Sequence, residues 1–139
     1  MRPLYIVAGM LLVAAVGYAA AYLFTIKGTV DVSQPELSPS PKTFSLDAAS
    51  GSEVVKQITV RNTGNATAIY FSYVVEGPDP DSVDVSFFTP EGERITSTSR
   101  LSVPAGTESS PSEVKVNVHV KVDDGAPQGS YSIFISARE

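Results

Sequence analysis

The most informative stretch of the sequence is Glu113–Val122, which reads EVKVNVHVKV. Every second residue is valine and every intervening residue is polar, which is the repeat of a β-strand and not that of a helix. Strands of antiparallel sheets commonly bury one face in this way and leave the other face in water. The stretch therefore predicts a sheet with one covered side.

Similar alternation of apolar and polar residues recurs along the chain. Further strands are expected at Lys42–Asp47, Glu53–Arg61, Ala66–Glu76, Val83–Phe87 and Tyr131–Ala137. Turn-forming residues separate them at Asn62–Asn65, Gly77–Pro80, Pro90–Gly92, Pro104–Gly106 and Asp123–Pro127. We predict an all-β domain over residues 42–139, an immunoglobulin-like or fibronectin-type antiparallel β-sandwich of about seven strands.

The start of the chain differs from this pattern, because Pro3–Ile26 contains no charged residue. As a helix this stretch would measure about 36 Å, enough to cross the roughly 30 Å hydrocarbon core of a bilayer. We predict one transmembrane helix within residues 1–27, with the N-terminus inside because Arg2 precedes it. Gly9 and Gly17 would allow another membrane helix to pack closely against it.

A cleaved signal peptide is the alternative for this segment, because small residues suitable for a peptidase occur at Gly17–Ala21. Both interpretations place the β-domain outside the cytoplasm. The localisation is then the cytoplasmic membrane, with a single-pass anchor and an extracytoplasmic C-terminal domain. With cleavage, the chain would instead be secreted.

Residues 28–41 are predicted as a short strand followed by a proline-rich connection. The strand consists of Gly28, Thr29, Val30, Asp31, Val32 and Ser33. In Pro35–Pro41 the prolines favour an extended, semi-rigid conformation, so this part is either a stalk or a crossover.

Composition excludes several classes of function. The chain of 139 residues has no cysteine and carries a net charge of −5, with its ten Lys and Arg residues scattered. Disulfides and thiol chemistry are thereby excluded, and nucleic acid is not an expected partner. The single histidine, His119, falls on the polar face of Glu113–Val122, and no Gly-x-Ser-x-Gly motif occurs. We expect no enzyme activity, no cofactor and no small-molecule substrate.

Three surface features are of interest. Asn65-Ala66-Thr67 is an N-glycosylation triplet in a turn, where Asn65 is either a modified residue or a turn former. Acidic loops at Glu76–Asp84 and Asp123–Asp124 are either solvated or a calcium site, and we expect solvated loops and no metal. Tyr70, Val74, Phe88 and Phe134 interrupt polar strand faces, as an interaction patch or because a bulge turns them inward.

Three segments of the chain resemble known families. Glu53–Thr67 (EVVKQITVRNTGNAT) and Gly125–Tyr131 (GAPQGSY) resemble immunoglobulin-like modules of archaeal and bacterial cell-surface proteins, of the CARDB and NEW3 type. Tyr18–Val75 is similar to exported fibre proteins of the TasA and camelysin type and to archaeal bundling pili. The second resemblance implies that Gly28–Ser33 acts as a donor strand, which completes the sandwich of a neighbouring subunit.

Two functions follow as expectations. The first is a membrane-anchored cell-surface module, which acts as an interaction or scaffold subunit outside the cytoplasmic membrane. Its partners would be the lipid bilayer and other membrane or surface-layer protein subunits, or copies of itself. The alternative is a structural subunit of an extracellular filament or pilus, assembled when the donor strand adds to the next subunit.

Overall fold

The computed structural model describes residues 23–32 and 36–139, which form strands, turns and one short 3₁₀ helix at Pro80–Ser82. The strands in chain order are β1 (Leu23–Val32), β2 (Leu37–Ser40), β3 (Thr43–Ala49), β4 (Glu53–Asn62), β5 (Thr67–Glu76), β6 (Val83–Phe88), β7 (Leu101–Val103), β8 (Ser112–Val122) and β9 (Gly129–Arg138). Within these ranges no helix is long and apolar enough to span a membrane.

The strands form two sheets with the core between them. One sheet has the order β3-β1-β9-β5-β7 and the other has the order β2-β4-β8-β6. All neighbouring strands are antiparallel except β1 and β9, which are parallel. The prediction of an all-β sandwich is confirmed, with more strands than the seven expected.

The predicted N-terminal helix is wrong where it overlaps the described residues. Leu23–Lys27, the end of the predicted span, belongs to β1. Ile26 and Val30 are buried between the sheets, whereas Thr25 and Lys27 are exposed, so the repeat here is that of a strand. The apolar run that precedes β1 in sequence hid this alternation. The remainder of the predicted helix lies outside the described residues.

The described parts of the predicted stalk, Gly28–Val32 and Leu37–Ser40, are strands of the sandwich. Gly28–Val32 lies in β1, and Leu37–Ser40 forms β2, which pairs with β4 in the other sheet. The connection is therefore the predicted crossover, and the domain begins at residue 23 instead of residue 42. The proline-rich sequence can pair because β2 is an edge strand, where the missing N–H of Pro39 disrupts least.

The core confirms the predicted inward faces. Val116, Val118, Val120 and Val122 of β8 are fully buried, because β4 and β6 cover both edges of β8 and the other sheet covers its inner face. Residues of β9 pack in the same cluster. Burial of each such aliphatic side chain contributes roughly 1.5–3 kcal/mol, so this layer is the main source of stability.

Gly28 of β1 packs so closely against β3 that a larger residue at this position is expected to destabilise the fold. A Cβ at this position would lie 2.1 Å from Cζ of Phe44, its neighbour on β3. We expect Gly28→Ala to lower the free energy of unfolding by about 1–3 kcal/mol, as overpacking does in other cores. Urea unfolding would measure it, with Ser45→Ala on the exposed face of β3 as the control.

The same substitution in a Phe44→Leu background should cost clearly less, because the smaller side chain relieves the clash. An equal cost in both backgrounds would contradict this account of the β1–β3 contact.

Candidate interaction surface

The outer face of the five-stranded sheet carries the most exposed pair of apolar side chains in the described part of the chain. Val74 on β5 and Phe134 on β9 lie directly opposite each other and are 61% and 41% exposed. Thr29 of β1 lies opposite Phe134 on its other side. The nearby outward residues are mostly small and hydroxylated: Thr25, Thr43, Ser45, Ser72, Ser132 and Ser136. Phe134 therefore projects from a flat, hydroxyl-rich surface.

Tyr70 lies on the same face but is already covered. The guanidinium carbon of Arg100 is 5.1 Å from the centre of its ring, within the range of a cation–π contact. Opposite Tyr70 on β9, Arg138 donates a hydrogen bond from Nε to Oγ of Ser72 at 3.0 Å. Tyr70 therefore does not add a further exposed apolar side chain to the pair Val74 and Phe134.

Phe88 is not part of this surface, so the prediction of one four-residue patch is wrong. It lies on β6 in the other sheet, with its ring centre 4.5 Å from that of His119. The alternation of residues identifies a face but does not say to which sheet a strand belongs. A bulge does not account for the outward residues either, because β5 and β9 pair without interruption from Tyr70–Arg138 to Glu76–Ser132.

His119 lies on the polar outer face of β8, as predicted. Its Nδ1 is 2.7 Å from Oε2 of Glu53, and Phe88 packs against the ring. Ser86 is its cross-strand neighbour on β6, but no hydrogen bond joins the two side chains. Among the described residues, His119 therefore contacts a carboxylate and an aromatic ring but makes no hydrogen bond to a serine.

The acidic loops lie at the end of the sandwich where β1 begins. Ser82 Oγ donates to Oδ2 of Asp79 at 2.7 Å, and the carbonyl of Asp123 accepts from the hydroxyl of Ser50. In the described ranges no cluster of three or more histidine, aspartate or glutamate residues could hold a metal ion.

The structure places the remaining predicted site residues as follows. Asn65 is exposed in the turn between β4 and β5, and the hydroxyl of Thr67 donates to Oε2 of Glu139 at 2.6 Å. The predicted donor residues Gly28–Val32 pair with β3 and β9 of their own chain. Ser33, Gly9 and Gly17 lie outside the described residues.

Asn62 has a structural role that the sequence pattern did not indicate. It is fully buried and its amide is satisfied on both sides. Nδ2 donates to the carbonyls of Asn65 at 2.8 Å and Pro104 at 2.9 Å, while Oδ1 accepts from the N–H of Gly64 at 2.9 Å. Its position in a turn motif was visible, but its contact with the distant Pro104 was not.

Tyr131, on the inner face of β9, was predicted only as a core residue. Its side chain is almost fully buried, and its hydroxyl donates to the carbonyl of Pro127 at 2.8 Å. Burial raises the pKa of this phenol above its ordinary value. This contact fastens the acidic loop between β8 and β9 to the core.

The two asparagines of the turn provide a matched comparison. We expect Asn62→Ala to lower the free energy of unfolding by about 2–4 kcal/mol, because it leaves buried backbone groups without hydrogen-bond partners. Asn65→Ala, three residues away, removes an exposed side chain and should change stability by less than about 0.5 kcal/mol. Urea unfolding of both variants would measure the difference, and equal effects would contradict the role given to Asn62.

No family model matches the chain. An uncharacterized protein of Archaeoglobus fulgidus is 47% identical over 130 residues, which cover 94% of this chain and 93% of the relative. Since at most nine residues of this chain lie outside the match, the similarity extends into the apolar N-terminal segment. The chain belongs to the same protein family as this A. fulgidus protein.

Proposed function

We propose that the chain is a non-catalytic, immunoglobulin-like module that is anchored at the outer side of the cytoplasmic membrane and serves as an interaction or scaffold subunit. The observation that carries this proposal is the position of β1. It begins at Leu23, directly after the uncharged sequence Pro3–Tyr22. Twenty apolar or uncharged residues are the length that a membrane-spanning helix needs.

An anchor at this position would connect to the core of the sandwich without a linker. β1 is flanked by β3 and β9, and it buries Ile26 and Val30. A force on the anchor would therefore act on an internal strand, whose removal breaks two rows of backbone hydrogen bonds. This arrangement suits a scaffold subunit that must stay attached to the cell.

The described surface favours binding of a protein over catalysis. β7 pairs with β5 only at Thr67–Ile69, so the β5 edge from Tyr70 to Glu76 has no strand partner in the described ranges. Exposed strand edges of this kind accept strands of other proteins through backbone hydrogen bonds. The exposed pair Val74 and Phe134 lies on the same side of the sandwich.

Membrane extraction tests the anchor. We expect the protein, isolated from its native membranes, to remain in the pellet after an alkaline carbonate wash. Its intact mass should be near the 14.7 kDa of the full chain. Release by carbonate together with a mass lower by about twenty residues would instead show export and cleavage, and would overturn the anchored module.

A structural subunit of an extracellular filament is the second candidate, and the pairing of β1 favours it. β1 lies between β3 and β9, and it is parallel to β9, the last strand of the chain. The β1 of a neighbouring subunit could occupy the same position with the same pairing. Such strand exchange would link subunits through backbone hydrogen bonds.

A cysteine pair distinguishes the two arrangements, because the chain has no cysteine of its own. Thr29 and Thr43 are exposed and opposite each other on β1 and β3. We expect oxidised Thr29→Cys/Thr43→Cys protein to run as a monomer on a non-reducing gel, with the disulfide inside one chain. If the variant isolated from cells instead gave a ladder of covalent polymers on the gel, β1 would be donated to a neighbouring subunit. That result would favour the filament.

A further inference from the structure

The exposed face of β1 carries two charged side chains, one on each side of Phe134 and at equal distances along the strand. Thr29 lies opposite Phe134, and Lys27 and Asp31 lie two residues before and after Thr29. Each is therefore about 7 Å from the row formed by Thr29, Phe134 and Val74. On β1 itself, the charges on the two sides of the row are therefore opposite in sign, while Glu76 of β5 lies on the same side of the row as Lys27.

Both charges are without a salt bridge in the described part of the chain. Lys27 and Asp31 are exposed, and the histidine–carboxylate contact found in the described ranges, between His119 and Glu53, lies on the other sheet. The two side chains are four residues apart on an extended strand, about 13 Å, which is too far for them to pair with each other. Each is thus available to a charge on another molecule.

We propose that a second copy of this chain docks on the outer face of the five-stranded sheet, around a two-fold axis along the row Thr29, Phe134 and Val74. This axis runs across the strands and lies between the two sheets. Rotation by half a turn about it reverses the direction of every strand, and each strand then faces the same strand of the second copy. Phe134 then packs against Phe134 of the second copy. Lys27 faces Asp31 of the second copy, and Asp31 faces its Lys27, so the two ion pairs form symmetrically.

The remaining residues of the face are compatible with this arrangement. Glu76 faces Ser72 of the second copy, Arg138 faces its Ser130, and Asp47 lies beyond Lys27 on the edge strand β3, opposite Thr25. No like charges are therefore placed in direct opposition among these residues. The small hydroxyl side chains let two sheets approach to the usual separation of about 10 Å. Sheets packed face to face are a common arrangement, and self-complementary contacts of this kind close as dimers.

A two-fold axis parallel to β9 is the competing geometry, and charge disfavours it. It would place Lys27 opposite Glu76 of the second copy, but it would also place the two Arg138 side chains opposite each other. Like charges in direct opposition oppose association. The axis along the row is therefore preferred.

The proposed axis also determines how the two chains are oriented relative to each other. The two β1 strands run in opposite directions, so the chains enter the pair from opposite ends. For chains that are anchored or polymerised as proposed above, such a pair joins two separate surfaces or fibres, and not neighbours that stand side by side in one membrane. The docking itself does not depend on whether the chain is anchored or polymerised.

Charge exchange tests the proposal on the full-length chain in detergent solution. We expect the unmodified chain to dimerise in sedimentation experiments. Lys27→Asp alone and Asp31→Lys alone should each weaken the dimer roughly tenfold or more, because each brings like charges together twice. The double variant, and an equimolar mixture of the two single variants, should dimerise again because the opposite charges then face each other.

The outcomes separate the two geometries. A monomeric unmodified chain, or a mixture of the single variants that stays as weak as either alone, would overturn the proposed axis. The competing axis, parallel to β9, would be indicated by two double variants. Adding Glu76→Lys to the Lys27→Asp variant would then restore dimerisation, whereas adding Asp31→Lys to it would not.

Thiol cross-linking provides a second measurement that does not depend on charge. A bismaleimide that spans the roughly 10 Å between two packed sheets should join Phe134→Cys chains as a covalent dimer, because the residue lies on the axis. Val55→Cys is the matched control, since Val55 is similarly exposed at 51% but lies on β4 of the other sheet. Equal cross-linking of the two variants would indicate random collision and would contradict the proposal.

Discussion

The pairing of β1 with both β3 and β9 is the contact on which the rest of the structure depends. Among the described strands, β3 has no other neighbour, and it joins the five-stranded sheet only through β1. Ile26 and Val30 fill the space between the sheets beneath that pairing. If β1 left this position, the sheet would lose its continuity and the core would lose two buried aliphatic side chains.

This dependence links the start of the chain to the fold. Leu23 follows directly on the apolar N-terminal sequence and is already paired with Ala49 of β3. A membrane segment and a sandwich are usually joined by a flexible linker, which allows each to be treated separately. Here the residues that follow the apolar sequence form a strand inside the sheet, so the proposed anchor would be coupled directly to the folding of the domain.

The parts of the fold that were predictable from sequence are those in which local pattern and burial coincide. β8 is such a case, because its valines face the core along the whole strand and its polar residues face water. Only the second half of β1 was predicted, as the strand Gly28–Ser33. The first half was missed because Leu23–Ile26 extends an apolar run, and because the inward position between Ile26 and Val30 is a glycine. Tyr73 and Val75 are only partly buried because β7 ends before it reaches them.

For the candidate site residues, the sequence predicted only on which face of its strand each side chain lies. The outward positions of Val74 and Phe134 followed from alternation, and their contact follows from the pairing of β5 with β9. Phe88 has the same local signature, but β6 pairs with β8 and takes it to the opposite sheet. Asn62 likewise looks like any turn asparagine until Pro104 is brought to it by the fold. Residues that depend on pairing between distant segments are beyond the reach of a local pattern.

The two faces of β1 also connect the proposals to each other. Its inner residues complete a core, and its outer residues place Lys27 and Asp31 on either side of Phe134. If a neighbouring subunit supplied β1, the same side chains would occupy the same sites, because the pairing with β3 and β9 would be identical. The outer surface would then be unchanged, although one chain would contribute β1 and another the strands beside it. Face-to-face docking can therefore operate equally between anchored modules on opposing surfaces and between subunits of separate fibres.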